Sequence, residues 1–224
     1  MREFTKSLII RIKGENYSID QSIPTSYLVR LGLKRLFMAF RGFVKFRQIV
    51  FVEERVRIYG QKFISIGKGS TLGSYSKLYG LSAKGIRIGK NVNIGANSVL
   101  KCTGTLEQIG EGITIERNVG LGHNCYLGGH GGIRIKQNTI VGENFTVHSD
   151  NHIYTESKKL IRHQGTVKLP VEIGANCWIG SNVTLLGGVN VGSNCVIGAG
   201  SVVTKSFPNG SILYGVPAKA KNNH

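Results

Sequence analysis

The sequence predicts an all-β protein, a solenoid of short parallel strands, and three observations point there. Aliphatic residues recur every six positions through roughly residues 60–220. Thirty-one glycines stand against four prolines, and they keep places in that period rather than forming low-complexity runs. One interruption, residues 153–170, stops the period, which resumes at Val171. Self-similarity of this kind is the mark of a repeat architecture with a tight corner in every repeat.

Written in sixes from Ile66, the chain reads IGKGST, LGSYSK and LYGLSA, then after a short step IGKNVN, IGANSV and LKCTGT. The register returns at Ile109 with IGEGIT, IERNVG, LGHNCY and LGGHGG, followed by IKQNTI, VGENFT and VHSDNH. Beyond the interruption come IGANCW, IGSNVT, LLGGVN, VGSNCV and IGAGSV. The first position is aliphatic throughout and the fifth is usually small or β-branched, so both are expected to point inward. Three hexads then close a triangular coil, and stacked coils bury a continuous aliphatic column. Asparagines and glycines flanking the strands suit corners that need φ > 0. The segment IYTESKKLIRHQGTVKLP cannot enter a filled core, so residues 153–170 are expected as an external loop.

The expected organisation is an N-terminal segment 1–60, a β-helix 61–204 and a C-terminal tail 205–224. In the first segment, YLVRLGLKRLFMAFRGFVKFR (residues 27–47) reads as an amphipathic helix with Ser26 as N-cap. Arg30, Lys34, Arg41 and Lys45 fall within about 60° on its wheel, and no acid occurs between residues 21 and 52. Two readings compete: the helix caps the open end of the solenoid, or it lies in a membrane interface.

The net charge of +17 is spread along the chain and would attract phosphates of any kind. No helix-turn-helix, RNP-like or zinc-finger pattern accompanies it, so nucleic acid is not an expected partner. Cys102, Cys125, Cys177 and Cys195 show no metal-ligand spacing and read as reduced core thiols, in keeping with the cytoplasm. The opening stretch MREFTKSLIIRIKGENYS has too short an apolar run for a signal peptide. No run of about 18 apolar residues exists to span a bilayer.

Of the six histidines, His152 ends VHSDNH at an outward-facing position directly before the loop, where an imidazole could take a proton near neutral pH. With the hexads and the ordered set WIG, GAGSVVTK and GVPAK, the sequence resembles the hexapeptide-repeat O-acetyltransferases, in their polysaccharide- and lipopolysaccharide-modifying branch. The resemblance covers roughly residues 60–220. It implies a left-handed β-helix, a homotrimer, acetyl-CoA as co-substrate and a carbohydrate acceptor. It implies His152 as catalytic base, with Asp150 orienting it. Trp178, Gly180, Ser181, Ala199, Thr204, Lys205 and Lys219 match the family's donor positions, the lysines meeting phosphate. His123, Asn124, His130 and Tyr154 are the expected acceptor-side residues. The asparagine and acidic residue of sugar-acetylating relatives are replaced here by Gly122 and His130.

Related β-helices hold zinc between subunits with three histidines, a role that His123, His148 and His152 could fill. The Trp-Ile-Gly and C-terminal features argue against it, and no metal is expected. Transfer to a drug hydroxyl, as in the chloramphenicol and streptogramin acetyltransferases of this fold, is the rival reaction. A non-catalytic scaffold is the rival outside enzymes. With a glycan carried on a membrane lipid, the expected location is the cytoplasm, with peripheral contact to the inner membrane an open reading.

Overall fold

The computed structural model describes residues 19–221; the opening stretch and His224 lie outside the described residues. From Phe51 to Leu213 the chain winds into a left-handed β-helix of triangular coils. Each coil gives one short strand to each of three parallel sheets, of nine, seven and six strands, the nine-stranded one ending in a single antiparallel return. Successive rungs lie about 4.8 Å apart.

The inward column follows from the hexad. On the first sheet Leu72, Ile94, Leu121, Val141, Ile179 and Ile197 stand in register, and all are buried. Fifth positions are buried too, whether apolar (Val92, Val119, Cys125) or hydroxylic (Ser70, Ser76, Ser98, Thr139). The hydroxyls are satisfied by the backbone: Ser70 Oγ donates to Gly89 O at 2.7 Å and accepts from Val92 N at 3.0 Å. Complete burial of each aliphatic side chain contributes about 1.5–3 kcal/mol. The four cysteines are free and buried, and burial pushes the Cys102 thiol up to about 11.

The sequence assigned positive φ to asparagines and glycines alike, and the structure separates two jobs. The fourth hexad position turns the corner in the left-handed region, mostly as Asn (Asn91, Asn118, Asn138 and others). The second-position glycine instead meets the next rung. A Cβ on Gly89 would lie 2.6 Å from Arg117 N, far inside van der Waals contact. The hexad expected at Ile109 is not a rung. Ile109 is 48% exposed, and the inward pair at this level is Ile113 and Ile115. Residues 103–112 form a second excursion, hidden in the sequence because Ile109 and Gly110 copy the repeat by chance. The coils also begin at Phe51, ahead of the expected boundary, since the strands Phe51–Val52 and Arg57–Tyr59 lack the aliphatic-Gly signature. At the other end Ile212–Gly215 and Ala218–Ala220 extend the first sheet, so much of the expected tail is part of the helix.

Helix α1 (Thr25–Phe46) starts two residues earlier than a Ser26 cap would give. Pro24 occupies the N-cap with its fixed φ, and Ser26 lies inside the first turn. The helix packs on the first coil through Leu28, Met38 and Gly42. Glu53 N–H and Gly67 N–H point to the second coil, donating to Leu72 O and Ile88 O. The carbonyls of the same peptide planes, Val52 O and Ile66 O, therefore face the open end. Arg41 Nε donates to Val52 O at 2.8 Å, and Gln48 Nε2 donates to Ile66 O. The capping reading is thus realised: α1 and the residues after it satisfy polar groups that the first rung would leave unpaired. Lys34 adds a 2.8 Å ion pair to Glu53.

A methyl group at Gly42 would sit 1.8 Å from Val50 O, whereas nothing lies within 4 Å of one at Gly32. Alanine is worth about 1 kcal/mol over glycine in a helix, and overpacking costs about 1–3 kcal/mol. Gly32→Ala is therefore expected to raise the melting temperature and Gly42→Ala to lower it, read by thermal unfolding of each variant. Burial raises the Glu53 pKa, but hydrogen bonds from Lys34 and Ser74 outweigh it and hold the carboxyl below its ordinary value. A depressed carboxyl stabilises above its unfolded pKa and loses that contribution as pH falls through the folded one. Hydrogen-exchange protection of α1 is expected to fall below about pH 4.5 in the wild type, with no such step in Glu53→Gln.

Candidate active site

The long excursion leaves the β-helix where a strand of the second sheet, Thr146–His148, ends. It forms its own antiparallel pair: Asp150–His152 runs against Thr166–Lys168, with His152 opposite Thr166. The expected loop 153–170 is therefore external, but it begins three residues earlier and its base is an ordered hairpin. Lys168 clips that base to the other excursion, donating to Ile109 O at 2.8 Å and pairing with Glu111 at 3.1 Å. Hydrogen bonds from Lys168 and Lys84 hold the Glu111 carboxyl below its usual range. Sequence reasoning missed this clip. Its partners are 57 residues apart and no local pattern links them.

His152 is exposed on the first hairpin strand, and no hydrogen bond among the described residues engages its ring. Among the other described histidines, His123 and His130 are held in the scaffold, whereas His148 and His163 are exposed. His123 Nδ1 accepts the Ala96 N–H at 2.9 Å, which ties the ring to the preceding rung and leaves its proton on Nε2. His148 stands 5.7 Å from the Tyr126 ring, and His163 ends a 3-10 turn in the loop. His130 corrects the expectation of an outward-facing ligand: it is 8% exposed, and its buried Nε2 has no hydrogen-bond partner among the described residues. The hexad LGGHGG puts it beside Gly110 at the root of the second excursion.

Asp150 lies two residues before His152, on the same face of the strand. No hydrogen bond among the described residues joins them. The Tyr126 hydroxyl is pushed up by burial and then by the Asp150 charge, which places that carboxylate near Tyr126. Asn124 turns a corner at φ 58°, and Tyr154, just beyond His152, is exposed.

The donor-side residues fall on successive rungs. Trp178 is exposed between Ile140 below and Val196 above. A Cβ on Gly180 would lie 2.6 Å from Ala199 N, so this part of the surface stays nearly bare of side chains. The Gly180 amide is used, donating to Ile197 O at 2.8 Å. Ser181 Oγ accepts from Glu143 N at 3.3 Å, and Ser181 N–H makes no hydrogen bond among the described residues. Thr204 and Lys205 are exposed just past the strand Val202–Val203, with Lys205 Nζ 5.6 Å from the Phe207 ring centroid. Lys219 pairs opposite Tyr214 on the returning strand.

The structure does not bring these residues together within one chain. Trp178, Gly180, Ser181, Ala199 and Lys219 lie on the first sheet or at the corner after it. His152, Tyr154, Thr204 and Lys205 lie at the corner after the second sheet. Residues on different edges of one prism meet only when a second prism stands alongside. Among the described residues no three His, Cys, Asp or Glu side chains converge as a metal site.

Two family models match: "Bacterial transferase hexapeptide (six repeats)" over residues 170–205 and "Hexapeptide repeat of succinyl-transferase" over residues 85–119. A galactoside O-acetyltransferase of Escherichia coli is 35% identical over 111 residues, 49% of this chain and 53% of that protein. A probable acetyltransferase of Mycobacterium tuberculosis is 28% identical over 160 residues, 71% of this chain and 50% of that protein. The chain thus spans about half the length of the curated relatives it matches. Among solved structures, the N-acyltransferase AntD of Bacillus cereus, in complex with dTDP and 3-hydroxybutyryl-CoA, superposes with a TM-score of 0.54 at 16% identity. That match covers 81% of this chain and 85% of AntD and speaks to the fold alone. Its repeats, its fold and these relatives agree in making the chain similar to the hexapeptide-repeat acyltransferases.

Proposed function

We propose that the protein transfers an acetyl group from acetyl-CoA to a sugar hydroxyl of a surface polysaccharide or its lipid-linked precursor. The observation that carries this reading is His152, an exposed imidazole with neither ring nitrogen hydrogen-bonded among the described residues. It stands at the base of an ordered hairpin, where a base can meet an acceptor. The galactoside O-acetyltransferase relative supports a sugar hydroxyl as acceptor.

In the proposed reaction His152 takes the acceptor hydroxyl proton as that oxygen bonds to the thioester carbonyl carbon. The C–S bond breaks, the acetyl group stays on the sugar, and the proton passes from the imidazolium to the departing sulfur. Ser181 N–H, free of other bonds, is the backbone donor suited to the carbonyl oxygen as it gathers charge. The bare surface over Gly180 and Ala199, beside Trp178, fits the slender arm of the donor. Lys205 and Lys219 supply cations for its phosphates. Tyr154 is the acceptor-side residue that the geometry favours, because His123 and His130 are held in the scaffold. Asp150 is a positioning residue at most, acting through its charge.

The split site supports assembly with a neighbouring copy, as in a homotrimer, with His152 given by one copy and Trp178 by its neighbour. Acetyl-CoA as donor puts the reaction in the cytoplasm, and a lipid-linked acceptor puts it on the cytoplasmic face of the inner membrane. Among the described residues no helix is long and apolar enough to cross a membrane.

His152→Ala is expected to lower glycan-dependent turnover by about 10²–10⁴-fold while leaving acetyl-CoA binding intact. Turnover equal to wild type would remove His152 from the mechanism. Mixed trimers of His152→Ala and Trp178→Ala chains, refolded together, are expected to regain activity that neither variant has alone. No recovery would place the whole site within one chain.

A further inference from the structure

The sequence set capping against membrane contact for the N-terminal helix, and in the structure capping uses only one side of it. Leu28, Met38 and Gly42, which face the first coil, cluster on one side of the helical wheel. Roughly opposite, across about 120° of the perimeter, stand Leu33, Leu36, Phe37, Phe40, Phe43 and Val44. Each of these is between 51% and 69% exposed. From the second turn onward this arc contains no polar side chain.

The basic stripe occupies one flank between the two faces. Lys34 and Arg41 are turned onto the first coil, whereas Arg30, next to the arc, and Lys45, at the far edge of the stripe, stay exposed. Residues 21–52 carry no acid, and the chain as a whole carries +17. The helix is about 33 Å long, and among the described residues none can span a bilayer.

We propose that α1 is an interfacial anchor for an anionic bilayer. The arc from Leu33 to Val44 enters the acyl boundary, Arg30 and Lys45 meet lipid phosphates at its rim, and the β-helix stands on the opposite side. Apolar depth with a cationic flank is the arrangement of helices that lie in a membrane surface, and the charge selects anionic lipid. A protein partner would have to match an uninterrupted aliphatic and aromatic strip with no polar group to read. A bilayer demands no such match. The occupant goes beyond the catalytic reading and does not depend on it, because binding is measured without turnover.

The test is co-sedimentation of the full chain with vesicles of phosphatidylcholine alone or with about one third phosphatidylserine, at low and high salt. Wild type is expected to bind the anionic vesicles at least tenfold more tightly, with the preference shrinking in salt. Phe37→Glu with Phe40→Glu, at positions that touch solvent, is expected to lose at least tenfold in binding with its melting temperature unchanged. Arg30→Glu with Lys45→Glu is expected to lose the anionic preference. Wild-type-like binding by the Phe37/Phe40 variant would overturn the proposal. So would the absence of binding, or a fall in sedimentation mass on substitution that shows the arc to be covered by another copy. Acetyl transfer measured on the same samples keeps failure of the anchor separate from failure of the catalytic assignment.

Discussion

Everything in this molecule is subordinate to the rung spacing. Parallel strands hydrogen-bonded at about 4.8 Å leave no room for a side chain where the backbone of one coil lies against the next. Gly89, Gly95 and Gly180 are the answer at the second hexad position. The same spacing asks a corner residue to reverse the chain within two or three positions. Asparagine does so and then ladders with the asparagine above it, as Asn118 does with Asn138 at 3.0 Å. The interior filled by this packing cannot hold a ligand. Chemistry is pushed to the outside of the prism, onto segments that the repeat expels.

Polar groups show the same economy. Hydroxyls of Ser70 and Thr139 are spent on neighbouring carbonyls, a lysine on the joint between two excursions, and a histidine on a backbone amide. What stands out is the side chain left over. Among the described residues His148, His152 and His163 are exposed with no ring nitrogen hydrogen-bonded, and His152 is the one on the paired strands that open the interruption of the repeat. The excursion is clipped at its root through Lys168, tied near its tip by Gln164 to Glu156 and Lys159, and presents Tyr154 and Leu160 to solvent.

The hexads made the fold readable, since a six-residue period with inward first and fifth positions leaves few alternatives. Phe145 shows how tolerant that logic is: a large aromatic sits fully buried in a position elsewhere given to Ser, Val or Cys. The register failed at Ile109, where two residues imitate a repeat that the backbone does not make. The exposure of His152 was legible from its place beside the interruption. The burial of His130 was not, because it stands against Gly110 and Glu111 of the second excursion, and hexad phase knows nothing of excursions. The division of α1 into a coil face and a free face was likewise hidden. A wheel gives the angles, but only packing against Val50 fixes which side is used.

The way the first rung is closed has a consequence for the fate of the protein in a crowded cell. A stack of parallel strands with bare carbonyls at its end is a growing tip, ready to take on the matching end of another molecule and run on as a fibre. Arg41 and Gln48 occupy two of those carbonyls, and the bulk of α1 bars approach to the strand Phe51–Val52. At the far end the antiparallel return of Ala218–Ala220 breaks the direction that such growth would need. A solenoid that is modular enough to lengthen by repetition is thereby made finite.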